Sequence, residues 1–124
     1  MQHERRQRRS EHRTEALSLV LSAEAARANA ETIVLADLDG FLVAGAGSAF
    51  DHHHLAALAA LAHEPLTHGD RLRGATAMPL RVVPIKVEET SLLCASIGHG
   101  HVDVRAIEAA TVRIVLGPRD VATS

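Results

Sequence analysis

The fold of this 124-residue chain is decided by one stretch, TIVLADLDGFLVA at residues 32–44. Two short apolar runs, 32–36 and 41–44, flank an Asp-Gly pair. This arrangement predicts a β-hairpin, because Asp-Gly favours the tight turns that join antiparallel strands. Both runs are almost entirely apolar, so we expect the sheet to be covered on both faces. The glycines at 45–48 (GAGS) are expected to end the second strand.

Immediately downstream, the sequence predicts a second helix over about 52–63. Asp51 is its expected N-cap, and Phe50 and Leu55 occupy the positions of a hydrophobic staple. The helix must end before Pro65. One face carries leucines surrounded by alanines, which permit close helix packing: Leu55, Leu58 and Leu61.

Upstream, a first helix is expected from about Thr14 to Asn29, because apolar residues recur there every three or four positions. It is expected to reach back into residues 1–15, which carry five Arg and three Glu. We divide the chain into a charged arm at 1–13, a domain at 14–117 and a polar tail at 118–124.

The remainder predicts a second β-meander and a closing helix. Strands are expected over 80–87 and 91–97, with Pro84 marking an edge position, and a further strand is possible within 71–83. Asp103 caps a helix that runs to about 116, although the β-branched residues of 111–116 also fit a strand. The fold class is therefore α+β: an antiparallel sheet of about five strands with helices on its faces, in the order α-β-β-α-β-β-(β)-α.

Composition argues against several function classes. The formal net charge is -2, with two Phe, no Tyr and no Trp. Single-strand nucleic-acid binding uses basic grooves and stacking aromatic rings, so we expect no nucleic-acid partner. No apolar run approaches the ~20 residues of a membrane span, and the charged N-terminus lacks the features of a signal peptide. These observations predict a cytoplasmic protein.

Two carboxylates are candidates for catalysis. Asp37 and Asp39, after an apolar strand, resemble the opening motif of haloacid-dehalogenase-like phosphatases, in which the first Asp is the nucleophile and the second a general acid. The rest of the chain lacks the further βα units and the acidic pair that such an enzyme needs. The favoured interpretation is a hairpin turn with two solvated carboxylates.

The chain has nine histidines, two groups of which could bind metal. His52, His53 and His54 open the second helix, but successive helical residues point about 100° apart and cannot all meet one ion. A site would need this group to meet His99 and His101 in space. The favoured interpretation is exposed histidines and no metal or other cofactor. Cys94, within an apolar strand, is expected to be a buried, inert thiol.

Taken together, the first helix, the hairpin TIVLADLDGFLVAGAG, the helix DHHHLAALAALA, the second meander and the closing helix resemble the roadblock/dynein-light-chain family. The resemblance covers about residues 14–116. It implies a profilin-like α/β fold and a non-catalytic module that forms dimers and acts as a scaffold or as a regulator of small Ras-like GTPases. The second helix and the strand after it would then build the interface, with these residues as candidates: Leu55, Leu58, Leu61, Arg81, Val83 and Ile85.

Other function classes remain open at this point. Profilin, longin and GAF domains share similar element orders, so the chain could be a GAF- or PAS-like sensor that binds a small ligand between sheet and helix. A metal-dependent enzyme that uses Asp37 and Asp39, or the histidines, is the third alternative. An apolar helical stripe is also more often intrachain core than interface.

Overall fold

The structure, a computed structural model, describes residues 2–63, 79–98 and 100–116. Three helices and four strands make up these residues. In chain order they are α1 (Gln2–Ala28), β1 (Thr32–Ala36), β2 (Leu42–Ala46), α2 (His52–His63), β3 (Leu80–Val87), β4 (Thr90–Ile97) and α3 (Val104–Leu116). The α+β class predicted from the sequence is confirmed.

The four strands form one antiparallel sheet in the order β2-β1-β4-β3. Helix α2 covers one face, where it lies mainly over β1, and α1 and α3 pack side by side on the other. This explains why β1 is buried along its whole length. The expected coverage of both sheet faces is therefore confirmed.

Each face of the sheet has its own apolar core. Beneath α2, small residues such as Ala59 and Ala95 bring the helix close to the sheet, beside Val34 and Leu93. On the other face, Leu21 of α1 belongs to a larger cluster, which is completed by side chains from the sheet and from α3: Ile33, Leu35, Ile85, Cys94 and Ile107. With almost no aromatic residues available, both cores are built from Leu, Ile, Val and Ala.

Local signals set the helix ends. Asp51 Oδ1 accepts the amide of His54 at 2.8 Å, and Asp103 Oδ1 accepts that of Ala106 at 3.1 Å, so both predicted N-caps are confirmed. Asn29 ends α1 in the left-handed region with φ 56°. The amide of the next residue, Ala30, bonds back to the carbonyl of Ala25 at 2.9 Å, which is the Schellman arrangement.

Several expectations need correction. The described residues hold four strands rather than about five, and residues 71–78, where a further strand was possible, lie outside them. Residues 111–116 are helical, so their strand alternative is wrong. Strand β2 continues through the glycine at 45 to Ala46, and it begins after Phe41 rather than at it. The expected extension of the first helix back into residues 1–15 is confirmed, because α1 runs unbroken from Gln2 to Ala28.

Candidate interaction surface

The turn between β1 and β2 is held by the side chain of Asp37. Its Oδ1 accepts two backbone amides, those of Asp39 and Phe41, each at 2.9 Å. The backbone closes the same turn, because the amide of Gly40 bonds the Asp37 carbonyl at 3.1 Å. Aspartate favours turns for this reason, since its short side chain replaces backbone hydrogen-bond partners. The turn is therefore a well-defined platform for the residues that it displays.

Gly40 seats this turn against α2. Its φ of 93° is one that side-chain-bearing residues rarely adopt, and a Cβ there would lie 3.2 Å from Ala60 Cβ and 3.3 Å from Ala57 Cα. A larger residue would push the turn away from the helix. The turn and the second half of α2 thus form one continuous surface.

That surface carries large apolar side chains in solvent. Phe41 is 69% exposed and Leu38 is 47% exposed in the turn, and Leu61 of α2 is 40% exposed. Ala57 and Ala60 are the α2 residues nearest to Gly40. Leu61 follows Ala60 in the chain and lies one helical turn after Ala57. We call Leu38, Phe41 and Leu61 the apolar face. The two elements that carry these side chains meet at Gly40, so we take the apolar face as the candidate interaction surface.

Some of the residues expected at an interface are buried in the structure, and others are exposed. Leu55 and Leu58 lie in the core beneath α2, with 0% and 6% exposure, and Ile85 is equally buried at 1% on the opposite face of the sheet. These three have almost no side-chain surface to offer a partner. Leu61 and Arg81 are exposed, and Val83 is half-buried. Phe41 and Leu38 were not among the expected interface residues, because the sequence assigned Phe41 to a covered strand.

Three of the candidate catalytic and metal-binding residues, Asp37, His52 and His101, make hydrogen bonds within the fold, and His99 lies outside the described residues. Asp37 Oδ1 is occupied by the two amides of its own turn. The Nε2 atom of His52 lies 2.6 Å from the carbonyl oxygen of Gly47, and Nδ1 of His101 accepts from Arg81 at 3.0 Å. Within the part of the chain that the structure describes, no group of three or more His, Cys, Asp or Glu side chains could hold a metal ion.

Cys94 lies in the core on the α1 and α3 face, 2% exposed. Burial raises the pKa of its thiol to about 12. The nucleophile is the thiolate rather than the thiol, so this cysteine is unreactive in the folded protein. The predicted buried thiol is confirmed.

Glu24 ties α1 to the start of α3. It is 8% exposed, and its Oε1 accepts the amide of Asp103 at 2.8 Å. Nε of Arg27 lies 3.1 Å from both carboxylate oxygens. The hydrogen bond from Arg27 lowers the pKa of Glu24; burial opposes it, and the Asp103 amide lowers the pKa further. The carboxylate is therefore a charged structural link.

The space between α2 and the sheet is filled by side chains. Leu55, Ala59 and Leu93 are fully buried there, and the alanines of α2 leave little separation between helix and strands. These side chains lie between the sheet and the helix, where the GAF- or PAS-like alternative would place its ligand. No helix in the described ranges has the length and apolarity needed to cross a bilayer.

Comparisons with known proteins find similar solved structures, including the following two. MglB of Myxococcus xanthus is 17% identical with a TM-score of 0.49, over 89% of this chain and 90% of that chain. A Roadblock/LC7 domain from Streptomyces avermitilis is 18% identical with a TM-score of 0.42, over 86% of this chain and 98% of that chain. The second carries the name of the family that the sequence resembles.

No protein-family model and no curated protein matches the chain.

Proposed function

We propose that this chain is a non-catalytic interaction module of the roadblock type, which forms a homodimer and regulates a small Ras-like GTPase in the cytoplasm. The observation that carries the proposal is the apolar face. Three of the four large apolar side chains that are exposed in the described residues gather there. The resemblance of residues 14–116 to the roadblock family supplies the class of module.

The occupant that we assign to the apolar face is a second copy of this chain. The face has acidic side chains at its turn end, Asp37 and Asp39, whereas the other end of α2 carries His53 and His54. A two-fold contact between antiparallel α2 helices would set the carboxylates of one protomer against the imidazole N–H groups of the other. The apolar side chains would form the dry centre and these polar groups the rim.

The interface that we propose keeps Leu61 and adds Leu38 and Phe41. Leu55, Leu58 and Ile85 are left out of it because their side chains are buried. A GTPase would bind the assembled dimer. The surface of the dimer that contacts the GTPase would include Arg81 and Val83, at the far edge of the sheet. This part of the proposal rests on the family resemblance alone.

Light scattering after size-exclusion chromatography tests the dimer. We expect the mass of two chains at micromolar concentration, and a shift to one chain for Phe41→Ser. The matched control is Leu19→Ser, which removes an equally exposed side chain, 71% accessible, from α1 on the opposite face of the sheet. A monomeric wild type, or equal masses for the two variants, would refute the proposal.

The partner is tested separately. A purified Ras-like GTPase is mixed with the wild type, and both complex formation and the rate of GTP hydrolysis are measured. We expect binding that depends on the bound nucleotide and is weakened by Phe41→Ser through loss of the dimer. A stable dimer that binds no GTPase would support the dimeric interaction module and contradict the proposed role as a GTPase regulator.

A further inference from the structure

The N-terminal half of α1 offers nothing for the core to bury. Residues 2–13 include no apolar residue, and among the residues whose burial is described, Leu17 is the first of α1 to be buried. The five residues at 11–15 are all exposed. Because 3.6 residues complete a helical turn, five successive exposed residues show that α1 is clear of the domain on every side at this level. This part of α1 is a solvated helix rather than a packing element.

The charges of the charged arm are sorted onto two sides of α1. Residues four positions apart fall on the same side of a helix, which places Arg5, Arg9 and Arg13 in one line, the arginine row. Like charges at this spacing repel each other along a helix, so an anionic surface that neutralised the row would stabilise it. A second line, the glutamate row, lies about 140° around the helix at 100° per residue: Glu4, Glu11 and Glu15.

The residue type indicates a partner that carries phosphate groups. All five basic residues of the charged arm are arginines. The planar guanidinium donates paired hydrogen bonds that match the oxygens of a phosphate. A duplex nucleic acid would place phosphates of both strands around a helix in its groove, where they would repel the glutamate row. A flat anionic surface meets one side of the helix and leaves the other side in water.

We propose that the arginine row binds the phosphate headgroups of an anionic lipid bilayer, with α1 lying on the surface and the glutamate row turned to water. Clusters of basic residues on a helix bind anionic leaflets in this way. Residues 2–13 have no apolar residue to insert between the lipids, so the attachment is electrostatic and weakens as salt is added. It involves neither the apolar face nor the dimer.

Co-sedimentation of the full chain with vesicles tests the proposal. One set of vesicles contains phosphatidylcholine alone, and the other also contains phosphatidylglycerol. We expect binding at low salt to the second set only, and release at high salt. Arg5→Gln/Arg9→Gln/Arg13→Gln should weaken this binding about a hundredfold, because each arginine near an anionic surface adds to the attraction. Glutamine is as good a helix former as arginine, so the helix is kept.

The matched control removes three basic side chains from exposed positions elsewhere: Lys86→Gln/Arg105→Gln/Arg113→Gln. It changes the net charge equally and should bind the anionic vesicles as the wild type does. A wild type that does not bind these vesicles, or equal losses in the two triple variants, would overturn the proposal.

Two neighbouring arginines test which side of the helix meets the lipid. Arg9 belongs to the arginine row, whereas Arg8 falls on the side of the glutamate row. Arg9→Gln should therefore weaken vesicle binding more than Arg8→Gln does. Equal effects would overturn the assigned orientation. Binding to a short RNA duplex that is tighter than binding to the vesicles, and that the arm triple variant abolishes, would overturn the lipid assignment.

Discussion

Glu24 of α1 accepts the backbone amide of Asp103 at 2.8 Å, across 79 positions of sequence. The bond fixes the entry to α3 against the end of α1. We predict that Glu24→Ala lowers the free energy of unfolding by about 1–3 kcal/mol, because the Asp103 amide loses a part-buried hydrogen bond to a charged acceptor. Urea denaturation measures the change. Glu15→Ala, at an exposed position of the same helix, should fall within about 0.5 kcal/mol of the wild type.

The charge on Glu24 predicts a dependence of stability on pH. Its pKa is lowered in the folded protein, chiefly by the hydrogen bond from Arg27, so the carboxylate contributes stability above the ordinary glutamate value of about 4.3. This contribution is lost as pH falls through the folded pKa. The difference in free energy of unfolding between wild type and Glu24→Gln should therefore shrink as the pH falls through the folded pKa of Glu24. A difference that stays constant down to strongly acidic pH would contradict the assigned role.

Substitution of Asp37 distinguishes a structural role from a catalytic one, because the two roles predict different effects on stability and on activity. Asp37→Ala should destabilise the protein by about 1–3 kcal/mol through loss of the acceptor for two amides, whereas Asp37→Asn keeps an oxygen and should cost less. Neither wild type nor variant should hydrolyse p-nitrophenyl phosphate with Mg²⁺. Turnover by the wild type that Asp37→Asn abolishes would instead support the phosphatase-like alternative.

Cys94 provides a probe of folding. Because burial raises the pKa of its thiol to about 12, a disulfide reagent should modify it only at the rate at which the protein unfolds. Reaction should become complete in denaturant. Rapid modification of the folded protein at neutral pH would show that the core around β4 opens locally.

Local signals in the sequence predicted the elements well. The apolar runs around an Asp-Gly pair predicted the hairpin, and Asp51 placed the start of α2, since both features act within a few residues. Which residues of an apolar helical stripe become buried depends on tertiary packing. The sequence therefore could not separate the buried Leu55 and Leu58 from the exposed Leu61. Glu24 stands on the buried face of α1, three residues after Leu21, and only the packed α3 reveals its role.

Phe41 shows the same limit at the site. It continues an apolar run, which predicted a covered strand residue. In the structure its amide donates a hydrogen bond to Oδ1 of Asp37, which holds Phe41 in the turn, one residue before β2 begins. The turn extends beyond the Asp-Gly pair to include Phe41, and the sequence pattern did not indicate this extra length.

Fluorine NMR of the chain labelled with fluorophenylalanine tests the central claim most directly, because the sequence has only two phenylalanines. Phe41 lies on the apolar face, and the half-buried Phe50 packs against the core under α2. Across a dilution series that spans the dimer dissociation, we predict that the Phe41 resonance shifts further than that of Phe50, whose ring lies 5.2 Å from the ring of His54 at the proposed rim. A Phe41 resonance that does not move while the measured mass falls from two chains to one would contradict the assignment of the interface.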